Sequence, residues 1–237
     1  MRQAGRIVAA VLDVLRRRIE PGITTGELDA ITARELREHD VISSFKGYRG
    51  FPAHLCVSVN DELVHGIPGE RVLGEGDIVS LDVGANFHGF HGDAALTVGV
   101  GEISPEAEAL LEATEGALMV GIARARSGAH LSDISAAIQS FVEARGLSVV
   151  REYVGHGIGR QMHEEPKIPN FGPPGQGPLL QKGMTLALEP MINIGLWQTK
   201  VGSDQWTVTT ADGRLCAHFE HTIAIADGEA EILTRLD

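Results

Sequence analysis

With 237 residues, 43% of them hydrophobic, the chain is long enough to bury one large core or two fused halves without disulfide staples. A formal charge of −12 removes any global electrostatic case for nucleic-acid or anionic-membrane binding, and two cysteines, Cys56 and Cys216, fall short of a disulfide framework. No run reaches the roughly 20 apolar residues of a membrane span, and the N-terminal stretch lacks the apolar core of a signal peptide, so the expectation is a cytoplasmic protein.

In chain order, Ile7, Val11, Val14 and Leu15 recur at helical spacing and predict a helix from Arg2 to Ile19, stopped by Pro21-Gly22. Thr24 or Thr25 caps a second helix, with Leu28, Ile31 and Leu36 on one face. From Ser43 to Gly101 the texture changes to short β-branched runs, HLCVSVN, GDIVSLDVG and AALTVGV, parted by Gly and Pro. Ser104-Pro105 opens a helix near Glu106 that runs to Ala125. Another spans Leu131 to Ala144 and ends at Gly146. Strands return in SVVREYVGHGIG, GMTLALEPMINI, WTVTT, LCAHFEHTIAIA and EIL. Ala211-Asp212-Gly213 carries a hairpin signal, and the Pro- and Gly-rich Ile168 to Leu180 reads as a rigid surface loop.

This order, helices, strands, helices, strands, contains a faint repeat. Gly76-Asp77-Ile78-Val79-Ser80-Leu81-Asp82 lines up with Gly183-Met184-Thr185-Leu186-Ala187-Leu188-Glu189, each a glycine, a short strand and an acid. Val64-His65-Gly66-Ile67 precedes the first as Gly155-His156-Gly157-Ile158 precedes the second, and Asp93 and Glu220 each open a later strand. The expectation is an α/β domain over residues 1–237, with halves of roughly 1–103 and 104–237 related by a pseudo-two-fold axis on which the acids converge.

The acids inside apolar strands need compensation, because burying an unpaired carboxylate costs several kcal/mol. No Lys or Arg alternates with Asp82, Asp93, Glu189 or Glu220 in the same strands, which favours metal cations over ion pairs. Alternation also sets Ser80 beside Asp82, Thr185 and Ala187 beside Glu189, and Thr222 and Ala224 beside Glu220, leaving each acid on a small face. Singly, each acid reads as a strand end and His156 in GHGIG as a turn residue; His65 and His163 are equally weak alone. His54, His88, His91, His218 and His221 take a structural role by default. Together, four carboxylates and one imidazole suit two divalent ions about 3.5–4 Å apart that share carboxylates. Mn, Fe, Co or Zn fit such donors better than Mg or Ca.

The motifs VHGIP, SLDVG, HGDAA, GHGIG, HEEP, LEPM and FEHT, in this order, resemble the type I methionine aminopeptidases over nearly the whole chain. The resemblance implies a pita-bread fold, two pseudo-symmetric halves with central antiparallel sheets flanked by helices, around a dinuclear centre of Co, Mn, Fe or Zn. It implies Asp82, Asp93, His156, Glu189 and Glu220 as metal ligands, with Asp93 and Glu220 bridging, and His65, His163 and Glu189 as catalytic groups. Tyr48, Phe51, Cys56, Met162 and Trp206 match a methionine pocket that His65 and His163 adjoin. Phe45, Phe51 and Met162 stand where cysteine, tyrosine and phenylalanine are common, and all three keep the pocket apolar. Only 32 residues separate His156 from Glu189, too few for the helical insertion of type II enzymes. The implied activity is removal of an N-terminal methionine before a small second residue. The implied partners are nascent polypeptide N-termini, with the ribosome as a further one, for a monomer that binds neither membrane nor nucleic acid. The rivals are a proline-directed peptidase of the same fold and a metal-free binding module.

Overall fold

Helix α1 (Arg2–Arg16) forms where Ala4, Ile7, Val8, Val11, Leu12 and Leu15 make one buried stripe in the computed structural model, which describes residues 1–236. It ends before Ile19, as the Arg18 amide folds back to Leu15 O in a tighter turn. In α2 (Thr25–Glu38) the cap is Thr24. Its hydroxyl accepts from the Glu27 amide at 3.1 Å while the Glu27 carboxylate accepts from the Thr24 amide at 2.8 Å. Ser104 caps α3 (Pro105–Arg124) through the Ala107 amide, and α4 (Leu131–Glu143) follows. The Pro- and Gly-rich loop wraps the start of α4: Asp133 and Ser132 accept amides from Gly175 and Gln176. This loop lies on the surface, and its Pro178 and Gln176 carbonyls accept the first amides of α4, from Leu131 and Ser132.

Among the described residues, nine strands make the main sheet. Its path runs Ile42–Ser43, Ile78–Phe87, Phe90–Gly99, Glu220–Ala224, Thr185–Leu188, Gly155–Gly157, Glu164–Ile168, with Cys56–Val59 paired to Ile78–Phe87 and Glu231–Ile232 to Glu220–Ala224. Every pair is antiparallel. Two small three-stranded sheets lie beside it: Cys216–His218, Met191–Asn193, Ser148–Val149, and Thr199–Val201, Val208–Thr210, Glu62–Val64. Alternation divides each long strand between two environments. Leu81 and Val83 join Leu12, Leu15 and Leu28 in a core under α1 and α2. Leu186, Leu188 and Ile223 join Leu110, Leu118, Ile134 and Ile138 in a second core under α3 and α4. Each such leucine contributes about 1.5–3 kcal/mol by leaving water.

Two expectations are corrected here. Ala211-Asp212-Gly213 does not close a hairpin: Val208–Thr210 and Cys216–His218 belong to different sheets. The Asp212 carboxylate accepts the Leu196 amide at 2.7 Å, drawing the turn toward another loop. Nor do LEPM and HFEH continue single strands. Pro190 has no amide to offer a ladder, so the chain leaves the main sheet at Glu189 and enters a small one at Met191. At Phe219 it crosses back from Cys216–His218 to Glu220–Ala224.

The glycines around His156 also have a specific cause. A Cβ on Gly155 would lie 2.5 Å from Ala187 O, and one on Gly157 would overlap Glu165 O. They admit neighbouring strands, not a ligand. Gly157→Ala is therefore expected to destabilise the protein by about 3 kcal/mol, the upper end of overpacking costs. Gly69→Ala, where an added Cβ meets nothing within 4 Å, should change urea-unfolding stability by no more than about 0.5 kcal/mol. Equal stabilities for the two variants would contradict the packing argument.

Candidate metal centre

Strand register places the acids. Asp82 and Glu220 both pair with Ala95, one from each side, so the three lie in a row across the sheet. Strands stand about 4.8 Å apart, which leaves the two acids roughly 10 Å apart at the backbone with only a methyl group between them. Asp93 precedes Ala95 by two residues and shares its face. On the next strand, Ala187 pairs with His156 and precedes Glu189 by two. The alanines thus clear the floor on which four acids and one imidazole meet.

The backbone under these groups is fixed by short polar links. The Thr222 hydroxyl donates to Asp93 O at 2.7 Å and accepts the Asp93 amide at 3.0 Å, pinning the two halves at the ligand row. Asn170, buried, donates its side-chain amide to Glu189 O at 3.0 Å. His156 donates from Nδ1 to Gly157 O at 2.9 Å, leaving the Nε2 lone pair toward the acids. That Nε2 lies 3.6 Å from Glu189 Oε1 and 3.9 Å from Asp93 Oδ2. One donor atom each from Asp93, His156 and Glu220 lies within 4.8 Å of the others.

Charge is the unsolved problem of this cluster. Asp82 Oδ1, Asp93 Oδ1 and Glu220 Oε1 are buried and accept no hydrogen bond. Among the described residues, no Lys or Arg nitrogen lies within 4.0 Å of the four carboxylates; histidines are their only basic neighbours. Burial lifts Asp82 to about 7. Burial and then the charges of the other acids push Asp93 and Glu220 far above the usual range, as burial and Asp82 do for Glu189. The histidines prefer their neutral forms, since burial holds His156 down, and burial, with the unfavourable field a second charge on His156 or that of Arg49 would impose, holds His163 to about 4. Unsatisfied hard oxygen donors with one imidazole are what a divalent cation requires, so the residues fit the metal.

A cavity of 140 Å³ opens from this cluster. Its other walls are Phe45, Tyr48, Arg49, Phe51, Cys56, His65, Met162, His163 and Trp206. Phe51 and Trp206 meet edge to face at 5.1 Å, and Tyr48 stacks on His163 at 5.4 Å while its hydroxyl bonds Nδ1 at 3.0 Å. All the site residues expected from sequence therefore line one space. Two other residues come with them. His218, given a structural role by default, is fully buried with its Nε2 3.8 Å from Glu189 Oε2 and neither ring nitrogen hydrogen-bonded. It lies on a strand of a different sheet from Glu220, so the spacing of two carried no face-sharing signal. Arg49, on a turn without periodicity, carried none. His54, His91 and His221 do have structural partners: Asp29, Ser44 with Asn86, and Thr234.

A family model for metallopeptidase family M24 matches residues 1–227. The chain is 56% identical to methionine aminopeptidase 1 of Bacillus subtilis over 100% of its own length and 95% of the relative's. It is 53% identical to a methionine aminopeptidase of Clostridium perfringens over 99% and 94%. Among solved structures, methionine aminopeptidase from Thermotoga maritima superposes with a TM-score of 0.98 at 47% identity, covering 100% of this chain and 95% of that one. The pita-bread arrangement expected from the motifs is the one found.

The raised acid of Asp82 gives a stability test. Its folded value, about 7, exceeds the unfolded 3.8, so the stability it contributes is complete below pH 3.8 and is lost as pH rises through 7. In chelator-stripped protein at pH 8, Asp82→Asn is expected to raise unfolding stability by on the order of 1–3 kcal/mol, and near pH 4 to leave it unchanged. With manganese present the sign at pH 8 should reverse. A stripped variant no more stable than its parent at pH 8 would contradict the burial argument.

Proposed function

The chain belongs to metallopeptidase family M24, and from that membership and the make-up of its site we propose that it removes the N-terminal methionine from polypeptides whose second residue is small. The observation that carries the proposal is an unneutralised, largely buried cluster of carboxylates that shares a cavity of one side chain's size with an apolar wall of Phe45, Phe51, Cys56, Met162 and Trp206. A cavity of about 150 Å³ holds a benzene ring, so 140 Å³ is of the size that a methionine side chain needs. The aromatic edges of Phe51 and Trp206 suit a thioether.

Asp82, Asp93, His156, Glu189 and Glu220 would hold two divalent cations, Asp93 and Glu220 serving both. Bound there, Co, Mn, Fe or Zn supplies the Lewis acidity that brings the pKa of a water near neutrality. Glu189 lies at the edge of the cluster facing the cavity and takes the proton of the attacking water, then passes it to the leaving amine. His163 is neutral. With the Tyr48 hydroxyl donating to Nδ1, its Nε2 carries the proton and donates to the oxygen that gains charge at the scissile carbonyl. His65, held by a left-handed backbone at φ 61 and edge-on to Tyr153, lines the same cavity and would assist near the scissile nitrogen. Newly made chains in the cytoplasm are the source of such N-termini.

A panel of Met-X-Ser peptides with defined metals tests this directly. Gly, Ala and Ser at X should be processed and bulky residues refused. Glu189→Gln should lower kcat by about 10²–10⁴-fold with metal occupancy retained. Chelation should abolish turnover and manganese or cobalt restore it. Faster cleavage of Ala-Pro-Ala than of Met-Ala-Ser would make the chain a proline-directed peptidase. Metal-loaded protein that cleaves neither would make it a binding module.

A further inference from the structure

The turn Tyr48–Gly50 projects two side chains at the mouth of the cavity. Gly47 and Gly50 have φ of 84° and 91°, and Arg49 itself stands at φ 51°, a left-handed conformation that a non-glycine residue rarely adopts. The turn is closed by the Gly47 amide to Phe51 O at 2.8 Å and the Phe51 amide to Tyr48 O at 3.0 Å. The strained backbone holds the Arg49 guanidinium 5.3 Å from the Tyr48 ring, whose other neighbour is His163. Arg49 is exposed, and among the described residues no carboxylate lies within ion-pair distance of it, although the chain carries an excess of twelve negative charges. A planar fork of five donors, fixed at the entrance and unused by the protein, is suited to a carboxylate from outside.

We infer that Arg49 is a specificity-determining residue that receives an acidic side chain of the substrate a few residues beyond the scissile bond. The inference rests on the peptidase reading of the same site. The guanidinium lies 5.3 Å from the Tyr48 ring and that ring 5.4 Å from His163, so no more than about 11 Å separates the two, a span that an extended peptide covers in about three residues. The acid therefore belongs at the third or fourth position of the substrate. There it meets a cation before it meets the field of the ligand carboxylates. The contact is at the solvent edge, so it alters affinity by a modest factor and is weakened by salt.

The test uses the manganese-loaded enzyme and amidated peptides Met-Ala-Z-Ser and Met-Ala-Ser-Z, with Z as Asp, Asn or Lys. Wild type is expected to favour Asp over Lys by about two- to five-fold in kcat/KM at low salt, the difference lying in KM. Arg49→Gln should bring that ratio toward one, Arg49→Glu should invert it, and Arg49→Lys should keep part of it. Raising salt to about 0.5 M should flatten the wild-type preference. The same Asp-to-Lys ratio in wild type, R49Q and R49E would overturn the inference while leaving the peptidase intact. Absence of methionine release from every peptide, the Asn series included, would instead overturn the peptidase reading, and this inference with it.

Discussion

Four carboxylates gathered within one another's field, Asp93 and Glu220 buried and Asp82 and Glu189 half-buried, constrain the rest of this structure. Asp82, Asp93, Glu189 and Glu220 cannot all be ionised there without a cation, and the described residues bring no lysine or arginine within ion-pair reach. Much of the architecture serves to make that arrangement possible. Ala95 and Ala187 keep side-chain volume off the floor, Thr222 ties the Asp93 backbone to the opposite half, and Gly155 and Gly157 let the His156 strand lie close to its neighbours. The cores beneath the helices lie on the opposite face of the same strands, so hydrophobic burial provides the free energy that holds the acids together.

Much of this was legible in the residues themselves. An acid in an apolar strand is a costly anomaly, and four of them are a stronger signal than any motif singly. Period-two alternation correctly set Leu81, Leu188 and Ile223 on the core side and the acids on the other. Helix ends followed from caps, as at Thr24 and Ser104.

Other features depend on partners that local pattern does not identify. Glu189-Pro190 and Phe219 are points where the chain changes sheets, which requires knowing which strands lie alongside. Asp212-Gly213 looks like a hairpin because its neighbours in sequence are strands, yet Asp212 answers to the distant Leu196 amide. His218 became visible as a neighbour of Glu189 only once the crossing at Phe219 placed it there. Arg49 illustrates the same limit on a turn, where charge has no period to read, and the stack from Arg49 through Tyr48 and His163 to His156 joins the cavity's rim to its ligands.

The central claim is that shared divalent cations neutralise the carboxylate cluster. Crystals grown with manganese and measured at its absorption edge test it most directly. The expected result is two anomalous peaks among Asp82, Asp93, His156, Glu189 and Glu220, with the Asp93 and Glu220 carboxylates touching both. Carboxylates that remain protonated or turn to arginines, with no anomalous density between Asp93 and Glu220, would contradict it.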